Sequence, residues 1–540
     1  MPELGSLLKS FEDFIEEKEC KHEGSPIPSY LKGTMLRNGP GIFEWGDTKY
    51  DHWFDGDAYV QRYAFRDGKM FYSARAIETT AYLKNKKANR IVVASFGTRA
   101  FPDPCQTIFQ RLVSWFQPTE ITDNTSVAFQ ELGDSLYALT ETPMMVPVST
   151  ENLDVGDTLH CAQELFAVHT ATAHCHYDSE GNVYNMGSRF GKQTQYIIVK
   201  MTPKKEAVPA GEIPFDTTLV ASVDHAPEGP AYYHSFGMSE NYFILIESPL
   251  RFNMLSMMMN QLFKMRSFRS IMEWKEETNT TITVVDKRTG AKVPVKMQSE
   301  PFFTFHHANS FERDGFLVVD YAKYKRAENL DALLLENMRK PDFFKEKDED
   351  FTPYFHRMII PLAVPENATA GDDLLKSLSW AGGCKAELRE DGSLWLTDER
   401  LCDYSVEFPR YNYDAVNTKH YRFVYGTTIL RGQDAAAKNG IVKTDCDAKK
   451  SSIWTVDNEN QLTGEPIFVA DPEGKKEDDG VLTVPVMTLD GSHPYVAILR
   501  ATDLEEIARF TIPMDRIPFG FHGHYTNKHT KEQKKKTGDA

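Results

Sequence analysis

Four of the sixteen histidines occupy contexts in which an imidazole could do chemistry. Each lies beside a short run with the composition of a β-strand, and the four are His174, His234, His306 and His522. Successive members are 60, 72 and 216 residues apart, so no two share a helix face as the ligands of an HExxH motif do. A lone histidine is more often a surface or packing residue than a metal ligand. Spacing alone therefore leaves both interpretations open.

The elements that must position these side chains are mostly short strands. Eight runs are rich in β-branched and aromatic residues and are bounded by Gly, Pro, Asn, Asp or charged residues. These runs are 195–201, 242–248, 281–287, 316–322, 393–399, 421–426, 495–501 and 508–513. Many are joined by turns too short for a crossover helix, which favours antiparallel sheets. A closed radial β architecture would bring the ends of such distant strands together on its axis.

The pattern predicts an all-β fold with one large domain over residues 1–540. No composition shift marks a linker, and the polar stretches 343–351 and 434–450 are typical of surface insertions. A flexible C-terminal tail is expected from about 526 to 540. The predicted domain is large for a single unit, but closed barrels and propellers commonly reach such lengths.

Composition excludes several functional classes. The chain carries 61 basic and 78 acidic residues, a formal charge of −17, which argues against nucleic acid as a partner. Its 41% apolar content is sufficient for a large core. No apolar run reaches the ~20 residues of a spanning helix, and the N-terminus resembles neither a signal nor a transit peptide. Seven cysteines without a CxxC pair fit reduced thiols, which predicts a cytoplasmic protein. No required protein partner is predicted.

Two segments, 102–117 and 249–274, have helical periodicity and an unusual composition. One face of the first is predicted to carry Ile108, Leu112, Trp115 and Phe116. The second contains six methionines interleaved with Arg251, Lys264, Arg266 and Arg269. Either the two are core helices, or they form a lipid-facing patch whose basic rim suits anionic head groups. The two interpretations predict opposite exposures for Met257, Met258 and Trp115.

Twelve short strings, in order along nearly the whole chain, resemble the carotenoid cleavage oxygenase family in its animal branch. That branch includes beta-carotene oxygenases and the retinoid isomerohydrolase of the retinal pigment epithelium. The strings are LRNGPG (36–41), DHWFDG (51–56), FPDPC (101–105), EITDN (120–124), TET (140–142), TAHCH (172–176), YHSFG (233–237), FHHANSFE (305–312), VEFPRYN (406–412), EPIFV (465–469), EDDG (477–480) and FGFHG (519–523). Each string is modest, but all twelve in family order are highly specific.

The resemblance implies a seven-bladed β-propeller with a helical dome over an axial face that bears iron. The implied ligands of this non-haem Fe²⁺ are the four histidines named above. The family pattern F-H-x-x-N selects His306 rather than His307, and the first position falls on His174 rather than His176. Thr140 and Val127 match positions that approach the iron in relatives, which makes them candidate gatekeepers.

The resemblance also implies three outer glutamates, Glu141, Glu407 and Glu465. There is a physical reason to expect them, because four neutral imidazoles bring no negative charge to a dication. A carboxylate that accepts the far N–H of a ligand fixes its tautomer and ring orientation and raises its basicity. Three carboxylates would make the burial of the metal ion tolerable.

The implied function is a dioxygenase that splits a double bond of a carotenoid with O₂, with beta-carotene cleaved centrally to retinal as the main hypothesis. Eccentric 9′,10′ cleavage, retinyl ester isomerohydrolysis without O₂, and a lipophile-binding scaffold without metal are the alternatives. Because a polyene is almost insoluble, peripheral contact with a membrane is expected. Cys105 matches a lipidation site proposed in relatives, and the candidate docking residues are Cys105, Met257, Met258 and the apolar face of 102–117.

Overall fold

A computed structural model describes residues 4–106, 122–206, 208–263, 267–341, 343, 351–428 and 439–528. Within these residues seven sheets follow one another along the chain, and nearly all of their strand pairs are antiparallel. The first and last sheets are each completed by a strand from the opposite chain end, so the ring closes. The predicted all-β, seven-bladed propeller is confirmed. The blades are numbered 1 to 7 in chain order.

Blades 1 to 3 are built from the first 224 residues and one C-terminal strand. Blade 1 contains Phe14–Glu19, Gly33–Arg37, Pro40–Ile42, Asp57–Arg66, Lys69–Ala76 and Gly523–Thr526. Blade 2 contains Ala128–Leu132, Ser135–Leu139, Met144–Pro147 and Leu159–His160. Blade 3 contains Thr170–Ala171, His176–Tyr177, Val183–Arg189, Gln195–Pro203 and Phe215–Asp224.

Blades 4 to 7 follow, with the outer strands of blade 4 supplied late in the chain. Blade 4 contains Gly237–Met238, Tyr242–Glu247, Thr280–Asp286, Met297–Ser299, Lys385–Leu388 and Leu394–Thr397. Blade 5 contains His307–Arg313, Phe316–Lys323, Tyr354–Pro361 and Glu399–Ser405. Blade 6 contains Glu407–Arg410, Phe423–Thr427, Gly440–Asp445 and Lys450–Thr455. Blade 7 contains Lys21–Gly24, Gln461–Thr463, Ile467–Ala470, Gly480–Thr488, Tyr495–Arg500 and Glu506–Thr511.

Two strand exchanges close the ring. Gly523–Thr526 pairs with Gly33–Arg37 in blade 1, and Lys21–Gly24 pairs with Glu506–Thr511 in blade 7. Closure removes the exposed strand edges that an open sheet would present. Thr526, where the tail was expected to begin, is buried and paired with Thr34, while residues 529–540 lie outside the described part.

Each of the eight predicted runs contains strand residues, and run 195–201 lies wholly within Gln195–Pro203. Run 393–399 is divided, because Leu394–Thr397 pairs in blade 4 whereas Glu399–Ser405 pairs in blade 5. The expectation of a surface insertion over 434–450 is wrong for its second half, since Gly440–Asp445 is a mostly buried strand of blade 6. Its β-branched residues Ile441, Val442 and Thr444 fit a strand better than a loop.

Few helices accompany the strands. In the described part of the chain they are Thr80–Ala88, Met254–Phe263, Asn329–Ala332, Leu335–Met338 and Tyr413–Val416, with the 3-10 turns Leu4–Ser6, Trp53–Asp55 and Arg269–Ile271. Small ribbons pair Leu250–Phe252 with Met272–Trp274 and Glu44–Trp45 with Thr48–Lys49. Among the described residues of segment 249–274, α-helix is confined to Met254–Phe263. Among the described residues, no helix has both the length and the apolar character needed to cross a bilayer.

Segments between the blade strands interlock above one end of the propeller axis, and we call them the cap. The ring nitrogen Nε2 of His52 lies 2.8 Å from the Leu330 carbonyl, and the Arg269 N–H donates to the Phe96 carbonyl at 2.7 Å. The cap encloses an apolar cluster, the cap cluster, that includes Tyr232, Phe252, Phe303, Phe305, Tyr324 and Leu330. This cover lies directly over the predicted histidines.

Candidate metal centre

The four predicted histidines come together at the end of the axis that faces the cap. Each lies at the start of a strand at the axial edge of its sheet, in blade 3 for His174, blade 4 for His234, blade 5 for His306 and blade 1 for His522. Their Nε2 atoms form a chain of 3.0, 3.2 and 3.1 Å contacts in that order. One ligand atom from each lies within 4.8 Å of every other.

Three carboxylates surround this cluster, one from each of the remaining blades. Each accepts a hydrogen bond from the outward-facing Nδ1 of one ring. The pairs are Glu141 of blade 2 with His234 at 2.5 Å, Glu407 of blade 6 with His306 at 2.6 Å, and Glu465 of blade 7 with His522 at 2.9 Å. All seven blades thus contribute one residue to the centre. Within the described residues, no carboxylate accepts a hydrogen bond from the fourth ring, that of His174.

The outer carboxylates determine which nitrogen of each ring carries the proton. A carboxylate only accepts, so the Nδ1 atoms of His234, His306 and His522 hold their protons and the Nε2 atoms present lone pairs. The lone pair of His306 Nε2 then faces those of His234 at 3.2 Å and His522 at 3.1 Å without a proton between them. A cation at their meeting point removes this repulsion. The chemistry of the donors therefore fits a metal ion.

The charge around the centre favours a cation. The three carboxylates contribute −3, and two arginines offset part of this charge: Arg410 Nε donates to Glu465 Oε1 at 2.8 Å, and the buried Arg37 donates to the Glu465 carbonyl at 3.1 Å. The sum stays negative, which suits a bound metal cation. Charges in such a buried position are tolerated only when they are paired in this way.

The pKa values follow the same electrostatics. Burial, reinforced by His522 and His234, holds the pKa of His174 well below its usual range, and burial lowers the pKa of His522 to about 3. Burial alone would raise the pKa of Glu407, but the adjacent His306 and the Phe408 N–H outweigh it and the pKa is lowered. At neutral pH the rings of His174 and His522 are thus neutral, and the Glu407 carboxylate is ionised.

The two candidate gatekeepers flank the centre on blade 2. The Val127 N–H donates to the Leu139 carbonyl at 2.9 Å, and the Val127 carbonyl accepts the N–H of His522 at 3.4 Å. Thr140 immediately precedes Glu141 and is half-buried. Phe408, in a left-handed conformation with φ of 51°, places its ring 5.2 Å from that of His306. Such strain in a bulky residue is typical of functional sites.

The cap side of the centre is apolar and aromatic. The Phe305 ring lies 5.1 Å from the His234 ring, and Phe54 lies 6.2 Å from Phe305 and 5.4 Å from Phe521. Phe305 belongs to the cap cluster, which continues to Met257 of the helix Met254–Phe263. Apolar packing therefore continues from that helix to the ring of His234, an environment suited to a lipophilic substrate.

The predicted docking residues divide into three groups. Met257 is buried, with 8% of its surface exposed, whereas Met258 is 53% exposed beside Met254, Leu255 and Met259. Cys105 is exposed, with its Sγ 3.8 Å from the Lys87 carbonyl. Ile108, Leu112, Trp115 and Phe116 lie outside the described residues. Exposure thus agrees with the lipid-facing interpretation at Met258 and with the core interpretation at Met257.

The basic rim expected around 249–274 is wrong for Arg251. Its side chain is fully buried and forms a 2.9 Å ion pair with Glu247. Arg269 is largely covered and pairs with Asp331 at 2.8 Å. A buried guanidinium needs a carboxylate partner, and each arginine has one. Arg251 therefore stabilises the ribbon, and Arg269 stabilises the cap. Lys264 and Arg266 lie outside the described residues.

The sequence analysis missed three residues that contact the outer carboxylates. Tyr232 donates to Glu141 Oε1 at 2.6 Å, Tyr324 donates to Glu407 Oε1 at 2.9 Å, and Arg410 reaches Glu465. Arg410 stands in the VEFPRYN string and Tyr232 two residues before a histidine of the cluster. These positions were the only indication in the sequence of a role at the site. The carboxylates that the three side chains contact lie on other blades and cannot be predicted from local sequence.

Comparisons with known proteins agree with this geometry. The profile of the family described as retinal pigment epithelial membrane protein, RPE65, matches residues 9–527. The chain is 34% identical to "Carotenoid-cleaving dioxygenase, mitochondrial" of Mustela putorius furo, over 97% of this chain and 96% of the relative. It is 35% identical to "Beta,beta-carotene 15,15'-dioxygenase" of Homo sapiens, over 93% and 91%.

Solved structures support the fold. The structure titled cobalt-substituted Synechocystis ACO superposes with a TM-score of 0.72 at 21% identity, covering 96% of this chain and 97% of that one. An ACO/RPE65 chimera gives a TM-score of 0.73 at the same identity and coverage. The sequence match over nearly the entire chain shows that this protein belongs to the RPE65 family of carotenoid oxygenases.

Proposed function

We propose that this protein is a non-haem iron(II) dioxygenase that cleaves beta-carotene at its central 15,15′ double bond to give two molecules of retinal. The observation that carries the proposal is the set of four converging imidazoles, three of them tethered by buried carboxylates, beneath an apolar cap. The names of the relatives supply the substrate class, and one of them acts at this bond.

The residues that would hold iron are His174, His234, His306 and His522, with Glu141, Glu407 and Glu465 orienting three of the rings. An iron(II) ion bound there would supply the activation of O₂ for addition of both oxygen atoms across a double bond. Thr140 and Val127 are proposed to border the space beside the four histidines.

The protein's own contribution is positioning and exclusion of water. The rings of Phe54, Phe305 and Phe521 form an apolar wall beside the histidines. Such a wall binds a polyene by burial of apolar surface and aligns one bond against the centre. It also keeps water from reactive species. The chemistry as proposed needs no acid–base pair, since both oxygen atoms come from O₂.

Incubation of the purified protein with beta-carotene under ¹⁸O₂ tests the proposal directly. We expect retinal as the only aldehyde product, carrying ¹⁸O, with about one iron per chain by elemental analysis. Longer and shorter apocarotenoids instead of retinal would show eccentric cleavage. Absence of iron from carefully purified, active protein would contradict the iron assignment.

A parallel incubation under argon separates the oxygenase from a retinyl ester isomerohydrolase. Cleavage of beta-carotene must stop without O₂, whereas hydrolysis and isomerisation of a retinyl ester would continue. The proposal predicts no conversion of retinyl ester in either atmosphere. Turnover of the ester under argon would assign the chain to the second reaction class.

We further propose that the protein touches a membrane surface through the exposed face of the helix Met254–Phe263, together with Cys105 and the apolar face of 102–117. Support comes from the exposed side chains of Met254, Leu255, Met258 and Met259 and from their continuity with the cap cluster. Large apolar side chains grouped on one surface commonly mark such contacts.

Vesicle flotation tests this contact. Met258→Asp should reduce the floated fraction several-fold, since a charge on an inserted face opposes burial. Leu219→Asp is the matched control, because Leu219 is similarly exposed but lies on blade 3. Equal flotation of both variants would contradict the assignment. The cytoplasmic location stays a prediction, and fractionation against mitochondrial markers checks it, since several relatives are named mitochondrial.

A further inference from the structure

Two tyrosines join the apolar cap cluster to the outer carboxylates. The Tyr232 hydroxyl donates to Glu141 Oε1 at 2.6 Å, and the Tyr324 hydroxyl donates to Glu407 Oε1 at 2.9 Å. Both rings belong to the cap cluster, each 6.3 Å from the Phe303 ring. Each tyrosine thus has an apolar face toward the cap and a polar end on the metal centre.

A carboxylate that orients an imidazole needs further donors to hold its own position. Glu141 receives the His234 Nδ1–H and the Tyr232 hydroxyl on the same oxygen. Glu407 receives the His306 Nδ1–H and the Phe408 N–H on one oxygen and the Tyr324 hydroxyl on the other. Without the hydroxyls, the first carboxylate would keep only its histidine among the described hydrogen bonds.

The third carboxylate is held by different chemistry. Glu465 accepts from Arg410 Nε at 2.8 Å and from the Gly523 N–H at 2.7 Å. Its support therefore comes from a cation and a backbone amide. Glu141 and Glu407 instead accept from neutral phenols, which have an apolar ring suited to the cap cluster.

We propose that Tyr232 and Tyr324 are positioning residues of the metal centre, fixing Glu141 and Glu407 and through them the rings of His234 and His306. This inference rests on the proposed function in one respect, the binding of iron by the four histidines. Outer partners of metal ligands govern metal affinity because they set the orientation and basicity of the ligand.

The competing role is simple packing in the cap cluster. Phenylalanine substitution separates the two roles, because it keeps the ring and removes only the hydroxyl. Tyr233 provides a matched control, one residue from Tyr232. Its buried hydroxyl has no hydrogen-bond partner among the described residues, and its ring packs on Tyr196 at 4.8 Å.

The experiment measures transfer of iron from the iron(II)-loaded protein to a coloured chelator under argon. We expect Tyr232→Phe to speed iron release about 5-fold and Tyr324→Phe about 3-fold, below the 10–100-fold typical of removing an outer partner. The effect at Tyr324 is smaller because the Phe408 N–H still holds Glu407. Tyr233→Phe should match the wild type.

Steady-state kinetics give the second readout. Both active variants should lose kcat with KM unchanged, because the apolar ring that contacts the polyene is retained. Wild-type release rates in both variants, or a change confined to KM, would overturn the inference while leaving the proposed function intact. A wild-type protein that binds no iron would overturn both.

Discussion

The metal centre has two unlike sides. Toward the cap, His234 meets the ring of Phe305, which in turn packs on Phe54. Further along the strands, away from the cap, the axis is lined by polar groups, among them Arg410 and the Tyr413 hydroxyl on His176. Arg410 keeps 36% of its side chain exposed although Glu465 beside it is buried. A lipophile would therefore approach from the cap, and the polar side would secure the charges of the centre.

The histidines of the cluster lie between the two sides. Removing one of them should abolish both iron binding and cleavage of beta-carotene. His306→Ala is expected to lose bound iron and to lower beta-carotene cleavage more than about 100-fold, beyond the effect of losing an outer partner. His307→Ala is the matched control, since its ring contacts Ser235 at 2.8 Å and is not part of the cluster. Elemental analysis and product assay are the measurements. Full turnover by His306→Ala would break the ligand assignment.

The apolar side can be altered without removing a predicted metal ligand. Phe305→Ala should cost about 3–5 kcal/mol of unfolding free energy through lost burial and the cavity left behind. It should also raise KM or shift the cleavage position while iron is retained. Phe311→Ala, in the buried core that blade 5 shares with blade 6, should cost a similar amount without altering KM or products. Unchanged KM and products in Phe305→Ala would show that the cap side does not position the substrate.

The cap itself is sensitive to acid through His52. Burial lowers its pKa from 6.5 to about 4, because Nδ1 accepts the Phe54 N–H and the ring is enclosed. Its contribution to stability is therefore complete above pH 6.5 and is lost as the pH falls toward 4. The loss amounts to about 3 kcal/mol from 1.36 kcal/mol per unit.

Urea unfolding of the wild type and of His52→Gln measures this pH-dependent loss of stability. The variant lacks the titration, so the stability gap between the two proteins should narrow by about 3 kcal/mol between pH 7 and pH 4. A gap that stays constant across that range would show that His52 is not buried as a neutral ring.

Local patterns were sufficient for the strands but not for the cap. The run at 242–248 has the length and composition of a buried strand, and Tyr242–Glu247 is one. The helical periodicity over 249–274 was misleading at both ends, where Leu250–Phe252 pairs with Met272–Trp274. That pairing and the buried Arg251–Glu247 ion pair are contacts that periodicity does not encode.

In the site too, some residues could be assigned from the sequence and others could not. The four histidines and three glutamates were assigned by resemblance, and the structure brings all seven together. Spacing alone could not have done this, because 216 residues separate His306 from His522. Arg410 lies in the VEFPRYN string and Tyr232 lies two residues before His234, but neither position indicates which carboxylate the side chain contacts. Their roles arise from contacts between blades, which only the closed ring creates.

The polar side can be weakened at Tyr413. His176 Nε2 lies 2.9 Å from the Phe236 carbonyl and so donates to it, which leaves Nδ1 to accept the Tyr413 hydroxyl at 3.2 Å. The same hydroxyl accepts the Tyr177 N–H at 3.0 Å. Tyr413→Phe leaves both groups unpaired and should cost about 2 kcal/mol of unfolding free energy.

Activity is the sharper measurement on this variant. Since the polar side is not on the proposed path of the polyene, Tyr413→Phe should keep the iron content, KM and products of the wild type while urea unfolding shifts. Phe305→Ala, in contrast, should alter KM or products. A changed product pattern in Tyr413→Phe would mean that the substrate reaches past the histidines into the axis, and the distinction between the two sides would fail.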